Sequence, residues 1–249
     1  YYDSEVLDEI GRDVILRPDI STCRLVPWYD EPTAQIIHDA VHQDGANVTF
    51  SSRAVLKSVL ALFDEAGLEP VIAPELEFFL VKQSSDANAP LITPPGRSGR
   101  AEKARQAYGI DAVNEFDPLF EEIYDHCDVQ GLDIDTLSHE AGAAQMEINF
   151  NHGHALDLAD QAFLFKRTVR QAAINHHLHA TFMAKPMQEQ PGSAMHVHVS
   201  VKSKASGKNI FSNDDGSESD DFYHSVAGMQ RYLSGAMALM APYVNSYRR

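Results

Sequence analysis

Apolar and polar positions along this chain alternate with a period of two in several short runs and recur with a helical period in four longer ones. Three short strands broken by proline are predicted first: Val14–Asp19, Thr22–Trp28 and Ala34–Asp39, followed by a turn at Gln43–Ala46. A helix follows over Ser52–Ala66, with Leu56, Val59, Leu60 and Phe63 as its apolar stripe and Gly67 as its stop. The spacing then gives a strand over Pro70–Val81 and a long Ser/Pro/Gly/Arg-rich loop over 83–105, a length that usually marks function or disorder. A helix over 116–131 ends at Gly131, and two strands follow, Leu132–Thr136 and Gln145–Phe150. The next helix, Asp157–His179, repeats Leu158, Ala162, Phe165, Val169 and Ala172 along one face. A strand over Met195–Val201, a turn over Lys204–Lys208, an acidic loop over Asn213–Asp221 and an amphipathic helix over Phe222–Met240 complete the pattern, with no internal repeat.

Three of the alternating strands carry unusual polar faces. In Pro74-Glu75-Leu76-Glu77-Phe78-Phe79-Leu80, Glu75 and Glu77 point one way and Leu76 and Phe78 the other. Gln145, Glu147 and Asn149 share a face in the second strand, and His196, His198 and Ser200 in the third. A half-solvated strand is ordinary with Lys, Thr and Ser. Three with carboxylates and imidazoles look like the floor of a site for hard divalent cations. Glu75, Glu77, Glu140, Glu147 and His196, four carboxylates and one imidazole, favour Mg²⁺ or Mn²⁺ over zinc. So many acids in one place repel unless cations sit between them, and paired divalent ions serve phosphoryl transfer. The Gly192-Ser193-Ala194 loop feeds directly into the histidine strand and lets backbone N–H groups approach a small ligand.

Bulk composition narrows the function class. The 249 residues carry 20 basic and 36 acidic side chains, a formal charge of −16, which argues against a nucleic-acid partner. No apolar run approaches a membrane span, the first residues show no signal-peptide pattern, and two cysteines, Cys23 and Cys127, suggest a reducing, cytoplasmic setting. Taken alone, an E-x-E is more often a solvated edge, and an H-x-H arises by chance or marks zinc or copper. Glu102, Lys103 and Arg105 read as a charged face, His176, His177 and His179 as surface or capping residues, and the acidic loop as solvated rather than an EF-hand.

The conjunction of motifs resembles the glutamine synthetase family. Lys185-Pro186, Pro191-Gly192-Ser193-Ala194-Met195-His196 and Ser200 fit its ATP-region pattern; Pro74-Glu75-Leu76-Glu77-Phe78-Phe79 fits its first metal strand. His139-Glu140-Ala141-Gly142-Ala143-Ala144-Gln145-Met146-Glu147 fits its second acidic motif, and Asn245-Ser246-Tyr247-Arg248-Arg249 the start of its glutamate-binding region. The resemblance implies that Glu77, Glu140 and Glu147 hold one divalent ion, and that Glu75 and His196 hold a second with a glutamate beyond this sequence. It places His198 and Ser200 near the ATP phosphates and nucleotide, with Asp135 as a nucleotide-contacting acid, and gives Gly192 and Arg249 to the glutamate substrate. No catalytic residue is assigned. The implied reaction phosphorylates the γ-carboxylate of glutamate with ATP, and ammonia then displaces phosphate from γ-glutamyl phosphate.

The implied fold is α+β: a partial β-grasp domain at 1–48, then a catalytic domain at 49–249 with a curved, mostly antiparallel sheet backed by helices. Ring assembly with sites between subunits comes with the resemblance. The family's Asp-Gly-Ser motif, flap glutamate, last metal glutamate and several arginines are absent, so a fragment lacking a complete active site is expected. Pro191, the Gly-Ser-Ala-Met-His-Val-His run and the basic loop at 95–105 lean towards γ-glutamyl-polyamine synthetases, making a glutamate–putrescine or other glutamate–amine ligase the alternative. A non-catalytic metal- or nucleotide-binding relative is a further alternative. A phosphagen kinase shares the sheet type, but the Met-His-x-His-x-Ser strand disfavours it.

Overall fold

The computed structural model describes residues 13–86, 88–103 and 105–231. Its first elements are short. β1 (Ile15–Pro18) ends on its proline, and a 3₁₀ turn (Ile20–Thr22) follows, capped by the Asp19 carboxylate accepting from the Ser21 N–H. β2 is only Arg24–Leu25. The single strand expected over Ala34–Asp39 is split into β3 (Ala34–Gln35), antiparallel to β2, and β4 (His38–Val41), antiparallel to β1. The cause lies between them. Ile37 N donates to Thr22 Oγ1 at 2.9 Å and Ile37 O accepts from Asp19 N at 2.9 Å, so the 3₁₀ turn takes the backbone groups a continuous strand would use.

α1 (Ser52–Glu65) stops before Gly67, which takes the left-handed φ of 70° expected of a glycine stop. Leu56, Leu60 and Phe63 are half-buried, while Val59 of the predicted stripe is exposed. β5 (Leu68–Lys82) comes next, and after the long loop a short α2 (Ile110–Asn114) leads into α3 (Asp117–Gln130), which ends at Gly131 with φ 63°. β6 (Ile134–His139), β7 (Gln145–Phe150), β8 (Gly153–His154) and α4 (Ala155–Asn175) follow. The helix expected to reach His179 ends four residues sooner. His177 adopts φ 58°, and Leu178–Thr181 becomes β9, antiparallel to β5. β10 spans Met195–Ser203.

Among the described residues these strands form a six-stranded sheet in the order β10-β5-β7-β6, with β8 and β9 also on β5. The β5–β7, β5–β9 and β6–β7 pairs are antiparallel, as expected for an α+β protein. One face carries Leu76, Phe78, Met146 and Ile148, all almost fully buried against Leu119 and Ile123 of α3 and Phe165 and Val169 of α4. Phe165 meets Phe150 edge-on at 5.2 Å between centroids. Each such side chain contributes about 1.5–3 kcal/mol by leaving water, which fixes the sheet's register and leaves its opposite face for chemistry.

The chain divides into two compact units. The larger takes Ile72–Val199 and the N-terminal part through Val59, and the smaller takes Leu60–Val71 and the segment from Ser200 on. In the smaller unit Lys204 pairs with Asp64, Ile210 N donates to Val201 O, and residues 220–231 are helical. The rest of the helix expected through Met240, and Arg249 with its neighbours, lie outside the described residues. No described helix is long and apolar enough to cross a membrane.

Candidate metal centre

The β5–β7 register puts Glu75 opposite Asn149, Glu77 opposite Glu147, and Phe79 opposite Gln145. Because side chains alternate, all six share the face away from the core. β10 borders β5 and brings its histidines over the same face. His196 Nδ1 lies 3.2 Å from Glu75 Oε2 and 3.9 Å from Glu77 Oε1, and His198 Nε2 lies 2.6 Å from Glu75 Oε1. Glu75, Glu147 and His196 each offer one ligand atom, and these atoms fall within 4.8 Å of one another. Residues 49 to 121 positions apart in sequence therefore converge on one sheet face.

Glu77 is held from two sides. Its Oε2 accepts from Gln145 Nε2 at 2.9 Å and from Ala194 N at 3.0 Å. The same Gln145 amide lies 3.0 Å from Gly192 O and 3.3 Å from Ser193 Oγ, and its Oε1 accepts from Gly142 N at 2.9 Å. One buried side chain thus ties the Glu77 carboxylate, the 140–145 turn and the Gly192 loop together. Gln190 Oε1 adds a bond from Ala143 N at 3.0 Å. Glu140 sits at the start of the turn, its N–H donating to Gln145 O at 2.8 Å and its Oε2 accepting from Ala141 N at 3.2 Å.

Glu102 corrects an expectation. Read as part of a charged face, its side chain is only 6% exposed. Its Oε2 accepts from Ala144 N at 2.7 Å and lies 3.0 Å from Nε2 of the fully buried His139. His139 Nδ1 lies 2.7 Å from Glu140 O. Both ring nitrogens therefore face acceptors, which assigns a doubly protonated ring. Burial opposes that charge, but the Glu102 hydrogen bond and carboxylate, with the Glu140 carbonyl, outweigh it and raise the imidazole pKa. Nothing local in the sequence separates Glu102 from Lys103 and Arg105, which are exposed. Gln145 was more accessible to sequence reasoning, since it shares the alternating face of Glu147.

Electrostatics fit the donor set to a cation. Burial first, then the Glu75, Glu140 and Glu77 carboxylates, push the Glu147 pKa upward, and His196 pulls it back. Among the described residues, the ion pairs of Glu75 and Glu77 are to imidazoles rather than to Lys or Arg. Beside them, the buried Asn149 Oδ1 has no hydrogen-bond partner. Clustered carboxylates, an imidazole and an orphaned acceptor suit a hard divalent ion.

The remaining predicted residues lie elsewhere. Asp135 is exposed on β6 and its carboxylate accepts from its neighbour Thr136. Ser200 is half-buried in the smaller unit. Gly192 is in the loop next to Glu77's partners, where an added Cβ would lie 2.8 Å from Ala184 O. His176 terminates α4, its Nε2 2.7 Å from Glu122, as a capping residue should.

An antiparallel α+β sheet whose open face gathers acids and imidazoles defines a candidate divalent-cation site. Comparison with known proteins agrees and goes further. The glutamine synthetase catalytic domain matches residues 49–249. The chain is 38% identical to gamma-glutamylputrescine synthetase PuuA of Escherichia coli (strain K12), over 98% of this chain and 53% of that protein. It is 34% identical to a glutamine synthetase of Halobacterium salinarum, over all of this chain and 55% of that one. The solved GmaS/ADP complex superposes with a TM-score of 0.78 at 28% identity, covering 95% of this chain and 53% of that one. The chain belongs to the glutamine synthetase family. It spans about half the length of the curated relatives it matches.

Proposed function

We propose that this chain carries the metal- and nucleotide-binding part of an enzyme that uses ATP to join the γ-carboxylate of glutamate to an amine. The convergence of Glu75, Glu147 and His196 on one sheet face carries that conclusion. Glu77, Glu140 and Glu147 would hold one Mg²⁺ or Mn²⁺, and Glu75 and His196 the other. Such ions, when bound, neutralise charge on a transferring phosphoryl group. His198 and Ser200 are assigned to the ATP phosphates, Asp135 to the nucleotide, and Gly192 with Arg249 to glutamate. The chain's own residues do the positioning: Gln145 fixes the Glu77 carboxylate and the Gly192 loop in one geometry, so cation and acceptor carboxylate are held within reach.

The partial β-grasp domain at 1–48, the catalytic domain at 49–249, a ring assembly and a cytoplasmic setting belong to the same proposal. The two free cysteines agree with that setting: Cys127 is buried, with its thiol pushed up to about 12 by burial. A second reading, ligation to a polyamine, is favoured by Pro191 and by the 38% identity to a gamma-glutamylputrescine synthetase against 34% to a glutamine synthetase.

The test is made in the full-length protein. Glu77→Ala is expected to abolish Mn²⁺-dependent γ-glutamyl transfer while leaving circular dichroism unchanged; retained transfer refutes its role. Product analysis with ammonia, methylamine and putrescine separates the two amine readings.

A further inference from the structure

We infer that Glu102 is a positioning residue for the acidic centre, reaching it from the far end of the long loop. This rests on the metal-binding reading above. The 139–145 turn carries Glu140 and launches β7 with Glu147, so its backbone sets where two of the proposed ligands stand. That backbone is not at rest. Ala144 holds φ 54°, the left-handed region that a residue with a Cβ rarely adopts. Two bonds hold it there: its N–H donates to Glu102 Oε2 at 2.7 Å, and its carbonyl accepts from Leu80 N at 2.9 Å.

At the other end of the turn, Glu102 grips His139 through both carboxylate oxygens, at 3.2 and 3.0 Å. The His139 ring in turn meets Glu140 O at 2.7 Å, and its backbone carbonyl accepts from Tyr108 N at 2.8 Å. One carboxylate therefore spans the turn from His139 to Ala144 without touching the open face. It is buried, and a buried carboxylate is tolerated only when paired and hydrogen-bonded, as here. Removing it leaves His139 Nε2 and the Ala144 N–H buried without that partner, and frees Ala144 from its strained φ. Glu140 and Glu147 then lose their fixed separation, the kind of outer support whose loss weakens cation binding.

Mn²⁺ titration of the full-length protein, followed by electron paramagnetic resonance of the free ion, tests this. Glu102→Ala is expected to weaken Mn²⁺ binding about tenfold or more, with the far-UV spectrum kept and amide exchange at Ala144 accelerated. Glu102→Gln keeps a carbonyl oxygen for the Ala144 N–H and is expected to restore part of the affinity. Lys103→Ala, one residue along and exposed, leaves affinity unchanged. Wild-type affinity and Ala144 exchange in the Glu102 variants overturn the proposal. Should Glu102→Ala fail to fold, Glu102→Gln decides by the same measurement: a several-fold loss supports the clamp, and wild-type affinity overturns it. Absence of Mn²⁺ binding in the unsubstituted protein instead overturns the metal-centre reading and this inference with it.

Discussion

Glu77 and Glu147 face each other across β5 and β7, two carboxylates in one register pair. Like charges directly opposite in an antiparallel ladder destabilise it. Gln145 and Ala194 N offset this at Glu77 only, while Glu147 keeps a raised pKa, from burial first and then from the Glu75, Glu140 and Glu77 carboxylates. The pair is thus a local cost that a bound cation would remove. Mn²⁺ at a hundred times its dissociation constant is expected to stabilise the protein by about 2.7 kcal/mol. Glu147→Gln is expected to raise the melting temperature in EDTA, by relieving roughly 0.5–1 kcal/mol of repulsion, and to lose most of the gain from Mn²⁺. Thermal melts of both proteins with EDTA and with Mn²⁺ check this; equal Mn²⁺ responses would remove Glu147 from the cation site.

Gln145 makes a second case, because its amide serves three elements at once. Gln145→Leu keeps the volume, leaves the Gly142 N–H without its partner and leaves Glu77 Oε2 with Ala194 N alone. An orphaned buried group costs about 1–3 kcal/mol, and a loss of that size is expected. Gly142→Ala attacks the same turn differently: the new Cβ would lie 2.6 Å from the ring of Phe79, which is fully buried and unable to retreat. Both variants are expected to lower the urea midpoint and weaken Mn²⁺ binding together. A Gln145→Leu protein with wild-type values of both would show that the amide is not the tie.

The gathering of these side chains on one face was legible because its signal is local. Alternation in β5, β7 and β10 fixes which side chains share a face, and the register pairing Glu77 with Glu147 is the one that buries Leu76, Phe78, Met146 and Ile148 on the other side. The glycine stops at Gly67 and Gly131 were legible for the same reason. What stayed hidden depends on contacts distant in sequence. Glu102 is distinguished from its charged neighbours only by meeting His139, 37 residues on. The early end of α4 turns on His177 taking a left-handed φ, with β9 pairing with β5 directly after it. The alternation of β10 also promised a buried apolar side, yet Val197 and Val199 are 43% and 49% exposed, since burial depends on what packs against a strand and not on its own pattern.

Arg53 organises a second charged cluster away from the acidic centre, and its response to acid can be read from the geometry. Its Nη2 donates to Asp19 at 2.7 Å and to Asp160 at 2.9 Å, its Nη1 to Asp39 at 2.7 Å, and Lys57 adds a 2.7 Å pair to Asp39. Hydrogen bonds from Ser21, then Arg53, lower the Asp19 pKa from 3.8 to about 2. Asp39 is also lowered: burial opposes its charge, but Lys57 and Arg53 outweigh it. A carboxylate whose folded pKa is depressed stabilises above its unfolded value and loses that contribution as pH falls through the folded value. The contribution of Asp19 is therefore present in full above about pH 4 and gone near pH 2. Its side chain is 26% exposed, and solvent screens the pair, so about 1 kcal/mol is expected. Asp19→Asn should lower stability by that amount at pH 6 and converge with the wild type as pH approaches 2. Urea unfolding at pH 6, 4 and 2.5 provides the measurement, and a difference that stays constant across the series would show that Asp19 contributes through its hydrogen bonds and not its charge.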